Sequence, residues 1–393
     1  MLHYYSPENI QTFSHAAYIF LENEMKVDHF YIILEGRVIL KRDISLHGEK
    51  HIEVIGPGDF FGVIGAIARL PHLESAIAET PVKLVAISHS GFMEMIQKNT
   101  SLALKIVRFY SRKLRIINDK NYSSNAIEDL NKLYNIGMYY IGSEFPEIGI
   151  YMLKSYIYHS IDSKYINEAY NELEKLGSDT EYRVHDEVSR LYKKGEVLFC
   201  EGEPGDTVYI VQKGKVRISK YEDGQDTTID ISSDGDIIGE MALIENKLRF
   251  GTVTVLEDSE ILVIKRSNFE LLIISHPEIM SRIMTILSER IWSMTKMKIN
   301  HYLPDLSTKI LDLLMIIIQK NRINPKKNNT YNFDMSIEEI FSILGSSEDP
   351  ELFLPKFLNY NKFIKIEKNS LMCMDINLLD KTTSHERLKL KKE

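Results

Sequence analysis

Residues 208–218 read Val208-Tyr209-Ile210-Val211-Gln212-Lys213-Gly214-Lys215-Val216-Arg217-Ile218. A β-branched and aromatic run, one glycine and a second such run predict a strand, a glycine turn and a strand. The same order stands earlier in the chain, as Phe30-Tyr31-Ile32-Ile33-Leu34-Glu35-Gly36-Arg37-Val38-Ile39-Leu40. Gly36 maps onto Gly214, 178 positions later, and Gly58-Asp59, Gly62 and Phe92 map onto Gly235-Asp236, Gly239 and Phe269, each 177 positions later. Segments 17–118 and 195–296 are therefore an internal repeat. Short strands of Val, Ile and Tyr between Gly and Asp turns predict an antiparallel barrel or jelly roll in each copy. Each copy then runs into a helical stretch, at 90–118 and 266–300.

Composition bounds what surrounds the repeat. The chain has 393 residues and a mass of 45.5 kDa, with 44% hydrophobic and 26% charged residues, a net charge of −8 and a pI of about 5.9. That length predicts two or three domains of ordinary globular composition. The acidic balance is wrong for a protein coated in basic residues for nucleic acid. Cys200 and Cys373 are too few for a disulfide framework or a four-ligand zinc site. The stretch Met1 to Pro7 lacks a signal-peptide pattern, and the greasy run Ile310 to Ile318 is too short to span a bilayer. The expectation is a cytoplasmic protein with no membrane association.

Between the copies, residues 122–178 are helical by pattern. Leu133, Ile136, Gly137, Tyr140, Gly149, Leu153 and Tyr156 resemble the spacing of a tetratricopeptide helix pair, in which small residues let two helices approach closely. A generic helical linker is the other reading. A lone repeat of this kind has to pack on something else. After the second copy comes an apolar helix, Leu306 to Gln319, and a basic loop, Asn321 to Thr330. A helix from Ser336 with a glycine stop at Gly345 follows, then a helix from Pro350 to Asn359. A hairpin, Phe363–Ile366 with Leu371–Met374, turns around Asn369-Ser370. That order resembles a winged helix. The tail from Lys381 is charged and expected to fray.

The chemistry centres on Gly239-Glu240-Met241-Ala242-Leu243, with Arg249 six residues on and then Thr252. With Gly195, Gly202, Gly205-Asp206 and Gly214, this resembles the phosphate-binding cassette of the cyclic-nucleotide-binding domain family. The resemblance covers 190–300 well and 15–118 more weakly. It implies a β jelly roll in which a short helix points its N-terminus at a cyclic phosphate. Free N–H groups at a helix start suit an anion. Arg249 adds a charged fork, Glu240 an acceptor for a ribose hydroxyl, and Gly239 room for the sugar. The implied ligand site is Gly239, Glu240, Met241, Ala242, Arg249 and Thr252, and the implied ligand is cyclic AMP or cyclic GMP. Against this stands the plain reading of Glu240 as a helix cap and Arg249 as a solvated charge. One departure from the family is Phe250, where a small residue is usual; it either crowds the phosphate or faces the core.

The first copy departs at the decisive positions, with Val63 in place of the glutamate and His72 in place of the arginine. Val63 accepts no hydrogen bond, and His72 is mostly neutral near pH 7. This copy reads as a barrel that has lost its cassette and is structural or regulatory; a site remodelled for a cyclic dinucleotide is the alternative.

Met280, Met284, Leu287, Ile291 and Met294 form a short heptad seam. It predicts a homodimer through 276–300, as in catabolite-activator-type regulators; packing against its own barrel is the other reading. The C-terminal module sits where those regulators bind DNA, but its would-be recognition helix opens Ser346-Ser347-Glu348-Asp349-Pro350-Glu351. Three carboxylates there repel phosphates. Residues 301–393 hold 14 Lys plus Arg against 13 Asp plus Glu, so there is no basic field. Lys326-Lys327 and Lys389, Lys391 and Lys392 are small basic spots. The module is expected to meet protein, not DNA. No Walker loop, His-Glu-x-x-His or Gly-x-Ser-x-Gly occurs, so no enzyme and no metal site is expected; His29, His47, His51, His72 and His89 lack ligand spacing.

The fold class expected is multidomain α+β. Its parts are a degenerate barrel (1–120), a helical tetratricopeptide-like insert (121–180) and a ligand-binding barrel with a long helix (181–302). A winged-helix-like module (303–380) and a charged tail (381–393) complete it. The function expected is a non-catalytic cyclic-nucleotide sensor read out through protein contacts of the insert or the C-terminal module. A cyclic-nucleotide-responsive DNA-binding regulator and a ligand-free scaffold are the alternatives.

Overall fold

The computed structural model describes residues 9–25, 27–42, 52–98, 106–110, 113–114, 117, 130–160, 163–182, 188–222, 224–326, 330–346 and 348–390. His47, His51, Lys327, Ser347, Lys391, Lys392, the first seven residues and the expected helical start at 122–129 lie outside the described residues. The chain packs as two compact units, Met1–Met95 with Ser288–Glu393, and Ile96–Leu287.

In the second unit the glycine turn expected at Gly214 links Thr207–Lys213 to Val216–Glu222, which do not pair with each other but cross from one sheet to the other. Gly214 has φ +106°, and a Cβ there would stand 2.2 Å from the Ser259 hydroxyl, so the turn admits only glycine. Two four-stranded antiparallel sheets face each other. One runs Val197–Phe199, Thr252–Val255, Val216–Glu222, Gln225–Ser232; the other runs Ile237–Ile238, Thr207–Lys213, Ser259–Lys265, Ser189–Tyr192. Alternation sends Tyr209, Val211, Val216, Ile218, Val253 and Ile261 into the core between them.

The insert is three helices, Asn131–Ile141, Pro146–His159 and Ile166–Lys175, where the spacing predicted a pair. Its first two helices touch at Gly137 and Gly149: a Cβ on Gly149 would be 2.6 Å from the Gly137 carbonyl. Leu133, Ile136, Tyr140, Met152, Leu153 and Tyr156 share one core with Val197 and Cys200 of the barrel. The helices thus bury their apolar face on the second barrel.

The first unit repeats the sheet orders: Ile10–Phe13, Val82–Ser88, His29–Glu35, Phe60–Phe61, and Tyr18–Phe20, Ser75–Ala78, Val38–Lys41, Ile52–Ile55. Its C-terminal part begins with Leu306–Lys320, capped by the Asp305 carboxylate accepting from Thr308 N–H. Ser336 and Glu339 form a capping box on Ile337–Ile343, and Gly345 at φ +60° ends that turn. Pro350–Tyr360 follows, capped by Asp349. A third strand, Tyr331–Ser336, flanks the expected hairpin of Ile364–Glu367 and Ser370–Cys373, which turns at Lys368-Asn369, one residue earlier than expected. The tail is corrected as well: it belongs to a helix, Ile376–Leu390, held by the Arg387 guanidinium on Asp312, 2.8 Å from Nε to Oδ1.

The helical stretch expected at 266–300 is two helices, Arg266–Ser275 and Pro277–His301, divided at the proline. Met280, Met284, Leu287, Ile291 and Met294 are all buried within the single chain, none more than 8% exposed.

Candidate functional site

The decisive turn of the second barrel is at Gly239, whose φ of +83° starts the helix Glu240–Glu245. Asn246, left-handed at φ 55°, ends it. Glu240, Met241, Ala242 and Leu243 are all buried, Glu240 at 1% exposed. The chain then returns through Arg249, which is 3% exposed.

Arg249 is seated in a slot made by two glycines. A Cβ on Gly205 would lie 2.2 Å from its Nε, and one on Gly239 would lie 2.6 Å from its Nη1. Its Nη1 donates to the carbonyls of Thr207 (2.8 Å) and Gly239 (3.0 Å), and its Nη2 donates to the Thr207 hydroxyl (2.8 Å). The guanidinium lies over the Phe199 ring, 4.2 Å from the centroid. Its Nε makes no hydrogen bond among the described residues. A buried guanidinium with N–H groups left over, held beside the start of a helix, suits an anion.

Gly239, Glu240, Met241, Ala242 and Arg249 are thus brought together. Thr252 stands apart: it lies in the barrel wall, and its hydroxyl accepts from the Glu201 N–H at 3.1 Å. Phe250 is half-buried, with the Lys220 ammonium 5.2 Å from its ring centroid.

Spacing alone did not reveal Glu203. Its backbone carbonyl accepts from Arg249 N–H at 2.7 Å, and its buried carboxylate accepts from Cys200 N–H at 2.9 Å and from the Tyr182 hydroxyl. Burial pushes this carboxyl up to about 7, against the hydrogen bonds of Tyr182 and Cys200 and the Arg249 charge, which favour the anion. Tyr182 and Tyr151 come from the insert side, and Tyr151 donates to the Leu198 carbonyl at 3.3 Å. Lys132 of the insert pairs with the buried Glu201 at 3.0 Å. The insert is therefore wired to the loop that carries Gly205. The only sequence signal for this was the run Glu201-Gly202-Glu203-Pro204-Gly205-Asp206.

The first barrel has the same backbone turn, with Gly62 at φ +75°, Val63–Ala68 helical and Arg69 left-handed. The arginine's place is taken by His72, 4% exposed and stacked on Phe20 at 3.6 Å. Burial lowers His72 to about 4, although Glu74 pulls the other way, so the ring is neutral at pH 7. Val63 is buried and apolar. At the two matching positions, Val63 and His72 supply neither the carboxylate nor the charge that Glu240 and Arg249 supply in the second barrel.

Comparison with known proteins identifies the domain family. The family model described as cyclic nucleotide-binding domain matches residues 10–99 and 189–276. A CRP-like cAMP-activated global transcriptional regulator of Mycobacterium tuberculosis is 23% identical over 185 residues, 47% of this chain and 83% of that protein. The cyclic AMP receptor protein of Thermus thermophilus is 31% identical over 103 residues, 26% of this chain and 48% of that one. The regulatory domain of Toxoplasma gondii PKA, solved with cAMP, is 16% identical, with a TM-score of 0.22 over 72% of this chain and 84% of that one. Among the described residues no helix is long and apolar enough to cross a membrane. Both jelly rolls of this chain belong to the cyclic nucleotide-binding domain family.

Proposed function

We propose that the second barrel binds one cyclic mononucleotide, cyclic AMP or cyclic GMP, and that the chain is a non-catalytic, cytoplasmic sensor read out through protein contacts. The observation that carries this reading is the seat of Arg249 between Gly205 and Gly239, beside the first turn of the cassette helix. The phosphate would meet the Arg249 guanidinium and the N–H groups of Met241 and Ala242. Glu240 would accept from the ribose 2′-hydroxyl, and Gly239 leaves the sugar room. Thr252 acts from behind, by fixing Glu201 in the wall.

The readout is proposed to pass through the loop Glu203 to Asp206. A ligand that reorients Arg249 alters its contacts with Gly205 and Glu203, and Glu203 is bonded to Tyr182 beside the insert. Ligand binding then shifts a two-state equilibrium of the insert to the extent that its affinity differs between the states.

The second reading, a DNA-binding regulator, has the Mycobacterium relative in its favour, since the match covers 83% of that protein. The side chains disfavour it: Glu348, Asp349 and Glu351 are exposed at the start of Pro350–Tyr360, and Leu352 and Tyr360 are exposed along it. Isothermal calorimetry of the full chain with cyclic AMP, cyclic GMP and a cyclic dinucleotide tests the proposal. One mononucleotide site per chain is expected. No binding by any of the three contradicts the sensor and supports a scaffold, and two mononucleotide sites contradict the silent first barrel.

A further inference from the structure

The first barrel still has its cassette turn, and its chemistry is turned around. In a phosphate-binding cassette the N-terminal N–H groups of the short helix face the ligand. Here the contacts gather at the other end of Val63–Ala68, where free carbonyls carry partial negative charge. The Arg322 guanidinium donates to the Ala68 carbonyl at 2.8 Å. The Trp292 indole N–H donates to the Pro71 carbonyl at 2.8 Å, and Trp292 is completely buried. The next residue, His72, accepts from Asn23 N–H at 2.9 Å through its carbonyl. The Asn23 side-chain oxygen in turn accepts from Lys296 and, at 3.3 Å, from Arg387.

Four donors from three separate stretches therefore converge on Asn23, Ala68 and Pro71. Trp292 and Lys296 lie on Pro277–His301, Arg322 lies just beyond Leu306–Lys320, and Arg387 lies on Ile376–Leu390. Arg322 holds φ +56°, a conformation arginine rarely adopts, and Glu289 steadies its guanidinium at 2.5 Å. Arg322 meets the last carbonyl of the remnant helix, Trp292 the carbonyl of Pro71 just beyond it, and Lys296 and Arg387 the side-chain oxygen of Asn23, which is itself tied to His72.

We infer that the first barrel is an intramolecular receptor whose occupant is the chain's own C-terminal stretch from Ser288 onward, the end of the long helix together with the C-terminal module, grasped just beyond the carbonyl end of the remnant cassette helix by Trp292 and Arg322. The barrel has kept its fold because it holds this stretch. The inference stands apart from nucleotide binding in the second barrel and survives or fails independently of it.

The test is amide hydrogen exchange on the full-length chain. In the wild type, the Ala66 and Leu70 amides of the cassette and those of Leu306–Lys320 should open with the same equilibrium constant, because holder and held part company together. Trp292→Phe with Arg322→Met keeps the ring and the stem but deletes the donors. It should speed exchange in both segments tenfold or more and leave Val82–Ser88 of the barrel sheet protected. Unchanged cassette amides in that variant would overturn the inference, as would wild-type segments whose opening differs tenfold. Loss of protection that reaches Val82–Ser88 would also overturn it, because the barrel would then need the module in order to fold.

Discussion

His72 lies flat on Phe20, ring centroids 3.6 Å apart and planes within 11°, where the second barrel lays the Arg249 guanidinium over Phe199. One platform carries an uncharged ring in the first barrel and a cation in the second. The two domains share sheets, turns and glycines, and they differ in the charge on this platform.

The neutral ring has a cost in acid. The folded pKa of His72, about 4, lies below its unfolded value of 6.5. Between those values the unfolded chain takes a proton that the folded chain refuses. Stability is therefore full above pH 6.5 and falls as pH drops towards 4, by on the order of 3 kcal/mol. His72→Phe should flatten that slope in urea titrations of the first unit's transition at pH 7, 5.5 and 4.5. An unchanged slope would show that His72 is not the titrating group.

Lys296 gives the opposite flank of the pH profile. Its ammonium is buried over the Trp292 ring, and burial, with Arg387 close by, lowers it to about 7, while Glu22 and Asp312 oppose the shift. From pH 7 to 10.5 the unfolded chain binds the extra proton, so stability rises with pH, by about 2 kcal/mol between pH 7 and 9. Lys296→Met should be the more stable form at pH 7 and lose most of that rise. Equal pH dependence in both proteins would contradict the assignment.

The arginine slot can be tested without touching the charge. Gly205→Ala puts a methyl group 2.2 Å from the present Nε position and must displace the guanidinium. Nucleotide affinity should fall at least tenfold while the melting temperature changes little, because Gly205 has no positive φ to lose. Wild-type affinity in this variant would place the phosphate elsewhere.

Duplex DNA separates the two readouts. A helix that neutralises phosphates gives a salt slope near −0.9 per phosphate contacted on duplex DNA. With Glu348, Asp349 and Glu351 leading Pro350–Tyr360, polarisation titrations should show almost no duplex binding at physiological salt, with or without nucleotide. Sequence-selective binding that survives moderate salt would promote the regulator reading.

The barrels were legible because strand alternation and positive-φ glycines are local signals, and Gly36, Gly62, Gly214 and Gly239 each mark a turn that a side chain would spoil. That Gly239 and Arg249 lie together was legible from the resemblance of their spacing to the family's cassette. What stayed hidden depended on distant partners. A lysine in a helix reads as solvated, and nothing near Lys296 in sequence announces Asn23, 273 residues away. The charged tail reads as frayed because Asp312, which anchors Arg387, is 75 residues away. Glu203 reads as a loop carboxylate until Tyr182 closes over it. The methionine seam obeyed a heptad rule that self-packing and dimerisation satisfy equally well.

The central claim is that Arg249 and Glu240 hold a cyclic nucleotide in the second barrel, and calorimetry of Arg249→Ala and Glu240→Ala full-length chains tests it most directly. Arg249→Ala should weaken the natural ligand by about 1.5–3 kcal/mol, the scale of a charge-assisted hydrogen bond. Glu240→Ala should weaken it too, but should cost a 2′-deoxy analogue less, because the lost partner is the ribose hydroxyl. Wild-type affinity for the natural ligand in both variants would contradict the account.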